Sequence, residues 1–145
     1  MRVWRAIAVC LVVPVSVSAE QYYQSPWVSA AKCTIQDAKA ADSDIGRLTS
    51  WAAVYRSFRR YKQCDDASIG EGYSDRIVIL LTKHWPTVIT LSRLAQADPE
   101  FGDFVISHVD ELMSPDQAKM IIANARDRCP ADLKSLCRRL EMKAK

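Results

Sequence analysis

Apolar residues recur at helical spacing along most of this chain. In DIGRLTSWAAVYRSFRRYKQ, positions 44–63, Leu48, Trp51, Tyr55, Phe58 and Lys62 form one stripe, with Arg56, Arg59 and Arg60 on the opposite side. SDRIVILLTKHW opens a second helical pattern after Ser74. From Phe101 a third places Phe104, Val105, His108, Val109 and Leu112 on one face. Helix starts are marked between these runs. Ser25 precedes Pro26, Asp98 precedes Pro99, and Ser114 precedes Pro115 with Gln117 three residues on, which is a capping box. The pattern predicts helices over about 26–40, 45–63, 75–97 with a break at Pro86, 99–113 and 115–127, and a short one over 132–141. IVILL at 77–81 could form a buried strand, but no partner strand is encoded. The expected fold is all-α, a single compact bundle of five to six helices.

Composition supports this class: four glycines in 145 residues are few for a turn-rich β fold. Residues 1–19 have the form of a secretory signal peptide. Arg2 and Arg5 precede the apolar run AIAVCLVVPV, and VSA supplies small residues before Glu20. That run is about half the length a bilayer crossing needs, and none of the later apolar runs is longer, so no membrane span is expected. The mature domain is then residues 20–145, exported to the periplasm. Of 20 basic residues, 18 remain after the leader against 17 acidic ones, so net charge names no partner class.

Four cysteines stay in the mature chain, and an even count in an exported domain indicates disulfides. Of the three pairings, Cys33 with Cys64 and Cys129 with Cys137 each close a local helix-to-helix connection. A zinc site competes poorly, because there is no C-x-x-C or H-x-x-H unit, and no cofactor is implied. His108 with Glu111 one turn on could act as a general base in a small hydrolase, but a histidine at the centre of an apolar face fits a core position better. His84 also falls on the apolar side of its helix; no third metal ligand joins the two histidines. No catalytic residue is assigned. The alternation of Arg56, Arg59, Arg60 and Lys62 with aromatic residues resembles nucleic-acid binders in composition, but helical spacing explains it as a solvated face that could meet an acidic partner.

CDDASIGEGYSD at 64–75 is expected to be a loop. It carries Asp65, Asp66, Ile69, Glu71 and Tyr73, with Gly70 and Gly72 allowing sharp turns, and it exceeds the usual helix connection. Exposed Ile69 and Tyr73 among carboxylates would suit a partner-binding loop. A leader, a small helical domain, two disulfides and a contact loop together resemble the periplasmic immunity proteins that neutralise type VI secretion amidase effectors. The resemblance is one of layout across the mature chain, and no functional residue carries over singly. It implies inhibition by binding: a loop from a helical scaffold, often a homodimer, plugs the cleft of a secreted effector toxin. A structural or adaptor role in the bacterial envelope is the alternative.

Overall fold

The computed structural model describes residues 32–110 and 112–145. Among them are seven α-helices and no strand: α1 (Ile35–Ile45), α2 (Trp51–Tyr61), α3 (Ala67–Lys83), α4 (Val88–Ala97), α5 (Pro99–Ser107), α6 (Pro115–Asp127) and α7 (Lys134–Lys143). Single 3-10 turns at Lys62–Cys64, Trp85–Thr87 and Ala131–Leu133 join some of them. The all-α expectation holds, and the helix expected over 75–97 divides at Pro86 into α3 and α4. No helix of the described residues is long and apolar enough to cross a membrane.

Short polar side chains set the helix starts. Asp98 accepts from the Phe101 N–H at 3.4 Å. Ser114 accepts from the Gln117 N–H at 3.3 Å, while the Gln117 carboxamide accepts from the Ser114 N–H at 2.7 Å, completing the capping box. Thr34, Ser50 and Asp66 cap α1, α2 and α3, which shifts three starts from their expected places. The first helix of the described residues begins at Ile35; the start expected at about 26, with Ser25 and Pro26, lies outside them.

α3 is the centre of the bundle. Ile69, Tyr73, Ile77, Val78, Leu80 and Leu81 are buried around its circumference, so it needs cover on several sides. α1, α2 and α6 supply that cover. On the α2 side, Phe58 meets Phe101 and Phe104 of α5 with ring centroids 5.4 and 4.8 Å apart, and Phe104 meets Tyr73 edge-on at 5.0 Å. Polar groups within the core find partners there: Ser57 and Tyr73 share a hydrogen bond of 2.7 Å, and the Asn124 amide donates to the Leu81 carbonyl at 3.1 Å, while Arg76 Nε is buried without one among the described residues. The indole N–H groups of Trp51 and Trp85 donate to Thr87 Oγ1 and the Arg128 carbonyl, both at 2.9 Å.

The expected 65–75 loop is helix from Ala67 onward, and this corrects the reading of Gly70 and Gly72 as turn residues. Ile69, Tyr73 and Ile77 recur every four residues and continue the apolar run of IVILL. The glycines instead permit close approach. A Cβ at Gly72 would lie 2.8 Å from Ile45 Cγ2, and one at Gly70 would lie 3.2 Å from Asp65 Oδ1. Among the described residues only Ala67, with φ 45°, takes a left-handed conformation, which bends the chain into α3 at a cost of about 1 kcal/mol.

Both expected disulfides are present, Cys33–Cys64 and Cys129–Cys137, with Cα–Cα distances of 4.8 and 6.2 Å. Such bonds persist in oxidising, non-reducing compartments. They close sequence separations of 31 and 8 residues. Loop entropy then assigns about 3.5 kcal/mol to the first and about 2.5 kcal/mol to the second. Removing Cys33–Cys64 by paired alanines should therefore destabilise the domain more than removing Cys129–Cys137, as read from urea midpoints. Gly72→Ala should also destabilise, by about 1 kcal/mol or more, because the clash with Ile45 exceeds the gain in helix propensity. In an Ile45→Ala background the same substitution should become stabilising, and a destabilising effect of equal size there would show that the contact with Ile45 is not its cause.

Candidate functional site

The five residues expected to meet a partner separate into different environments. Ile69 is 8 % exposed and Tyr73 0 %, so neither can anchor a partner, and the loop-insertion expectation is corrected on this point. Tyr73 is a core residue; burial pushes its phenol pKa up, against the opposing effect of the Ser57 hydrogen bond. Asp66 is spent as the α3 cap, accepting from the Ala67 N–H at 2.8 Å. Glu71 is exposed and lines a cleft of about 280 Å³ with Asp75, Val78, Leu112 and Met113, where Leu112 is 61 % exposed.

Asp65 has a structural partner that sequence spacing did not suggest. At the C-terminus of α5, His108 is 6 % exposed, and its Nε2 lies 3.0 Å from Asp65 Oδ1 across 43 positions of sequence. Its Nδ1 lies 2.8 Å from the Phe104 carbonyl. Both ring nitrogens face oxygen atoms, an arrangement that favours the doubly protonated ring. Burial alone lowers the His108 pKa, but the Asp65 hydrogen bond, the Phe104 carbonyl, and the charges of Asp65 and Asp110 outweigh it and raise the value above 6.5. A general base needs a nitrogen within reach of its substrate, and both nitrogens of this buried ring are turned to protein oxygens. Glu111, its expected neighbour, lies outside the described residues. His84, expected on an apolar side, is exposed at the end of α3. Among the described residues no three His, Cys, Asp or Glu side chains converge as a metal site would require.

The arrangement best suited to contact is on α2. A cleft of about 490 Å³ lies between the end of α1 and α2, lined by Arg47, Leu48, Tyr55, Arg56, Arg59 and Arg60 among others. Two of its arginines are already engaged. Arg47 pairs with Asp44, and Arg59 donates to Asp98 at 3.2 Å, where the Tyr55 hydroxyl also donates at 3.2 Å. Desolvation works against the ionised Asp98, but Arg59, the Phe101 N–H and Tyr55 outweigh it and hold the carboxyl below its ordinary value. Lys62, beyond the cleft, pairs with Glu100 at 2.6 Å.

Arg56 and Arg60 are exposed and have no acidic partner among the described residues. Arg60 lies over the Tyr61 ring at 5.1 Å. Arg59 and Arg60 suit the last turn of α2, where cations offset the helix dipole, but Arg56 sits too early for that benefit. Spaced four apart, Arg56 and Arg60 repel each other, costing the helix about 0.2–0.5 kcal/mol. In the sequence these residues form a solvated face; the cleft beside them depends on α1, whose position no local pattern encodes.

A scan against protein-family models and searches of curated proteins and of solved structures found no match to this chain.

The His108–Asp65 pair carries a pH dependence of defined sign. Because the folded-state pKa exceeds the unfolded value of 6.5, the pair's stabilisation is complete below that pH and is lost as pH rises through the folded-state value. Melting temperature should fall as pH is raised from about 6 to about 9, and His108→Gln should remove that part of the slope while costing about 2 kcal/mol at the acid end. A slope unchanged in His108→Gln would assign the dependence to other groups.

Proposed function

We propose that the protein is an exported helical binding protein that neutralises a protein partner, in the manner of a toxin-immunity protein, and that it works without catalysis. The observation that carries this reading is the pair of unpartnered, exposed arginines at the edge of the α1–α2 cleft. Two disulfides suit a domain that works outside the reducing cytosol. The form of residues 1–19 supports export through a signal peptide, with the periplasm as destination.

Inhibition would then come from a rigid helical face rather than an inserted loop. A rigid face loses little conformational entropy on binding, since α2 is already fixed at both ends by its Ser50 cap and by the contacts of Arg59 and Lys62 with the start of α5. Homodimerisation, implied by the resemblance to immunity proteins, is a separate proposal that light scattering on the purified domain decides.

The test is capture from the periplasm of the source cell by the tagged mature chain, followed by reconstitution with the purified partner. The expected result is a defined complex with a secreted toxin whose activity falls on binding. Recovery of a resident envelope assembly, with no effect on any toxin, would replace this reading with an adaptor role.

A further inference from the structure

We infer that the α1–α2 cleft binds an acidic segment of a protein partner, with Arg56 and Arg60 donating to successive carboxylates of that segment. This deepens the protein-binding reading above and rests on it.

The charge arrangement selects the ligand class. Arg56 and Arg60 stand one turn apart on α2, with roots about 6 Å from each other. That spacing matches carboxylates one turn apart on a helix or two residues apart on an extended strand. Each guanidinium offers a planar fork of donors that a carboxylate accepts in pairs. Bound carboxylates would also screen the repulsion between the two arginines, which nothing among the described residues relieves.

Neighbouring groups define what else fits. Arg59 is fixed by Asp98 and Arg47 by Asp44, so the cleft wall is built before any partner arrives. Tyr55, part-buried with its hydroxyl directed to Asp98, and the part-buried Ala53 add apolar surface inside the cleft for a side chain flanking the carboxylates. A nucleic acid is the other candidate polyanion, and the surroundings disfavour it. Asp44 lines the cleft and Asp98 holds Arg59 at its wall, and a continuous phosphate backbone would have to pass such carboxylates, whereas an acidic peptide can place its charges singly. The nearly balanced charge of the mature chain adds no general attraction for a polyanion.

The test uses the disulfide-bonded mature chain and three labelled probes followed by fluorescence anisotropy: a short peptide of alternating Glu and Leu, its Lys and Leu counterpart, and a single-stranded oligonucleotide of matched length. The Glu peptide should bind and the Lys peptide should not. Arg56→Glu with Arg60→Glu should weaken Glu-peptide binding by about tenfold or more, with weakening also at high salt. Both residues are exposed, so the melting temperature should stay close to that of wild type. Lys119→Glu, an exposed charge reversal on α6, should leave binding intact. Equal affinity in wild type and the double variant would overturn the proposal, as would oligonucleotide binding that matches the Glu peptide and is lost in the same variant.

Capture of a periplasmic partner with no loss in the double variant would remove the cleft and leave the protein-binding role. Glu-peptide binding that depends on Arg56 and Arg60, with no partner captured from the periplasm, would leave the cleft and remove that role.

Discussion

A helix buried on several sides cannot be stable alone, and the covering of α3 is the constraint on which the rest of the structure depends. Its apolar residues surround the axis, so one packed neighbour would leave much of them in water. The remaining helices are placed by that need. α1 can pack closely because Gly72 offers no Cβ against Ile45. α2 brings Ser57 to the Tyr73 hydroxyl, and α6 brings Asn124 to the Leu81 carbonyl. The α2 and α6 contacts join an apolar surface to a specific polar pairing, which fixes orientation as well as burial.

The His108–Asp65 pair closes the end of this core near the start of α3. It joins the C-terminus of α5 to the residue that follows Cys64, and so links an ion pair, a disulfide and a helix cap within three positions, 64 to 66. Asp110 adds negative charge near the His108 ring, which favours its protonated form, and also accepts from the Ser74 hydroxyl at 2.8 Å. Residues that could resemble a catalytic cluster are thereby committed to holding three elements together. Arg56 and Arg60, without an acidic partner among the described residues, lie elsewhere, on the wet side of α2.

Much of the helix layout was legible in the sequence, since proline and short polar residues mark helix starts through local hydrogen bonds. Asp98, Ser114 and Pro86 act as their local chemistry requires. Both cysteine pairings were legible because each spans neighbouring elements. The 65–75 segment was misread for a physical reason: glycine allows both a turn and a close crossing, and only the position of Ile45 distinguishes the two. The four-residue recurrence of Ile69, Tyr73 and Ile77 was the available signal for helix. His108 was legible as a core residue, but Asp65 as its partner was not, because 43 residues separate them. The arginines were visible as a stripe, whereas the cleft exists only through tertiary packing.

The two disulfides do not interleave: one lies wholly between residues 33 and 64, the other wholly between 129 and 137. A chain threaded through a membrane pore from its N-terminus presents both cysteines of the first bond before either cysteine of the second emerges. The order of emergence thus selects the native pairs without any need to reshuffle wrong ones, so a simple thiol oxidant would suffice and an isomerase would have little to correct.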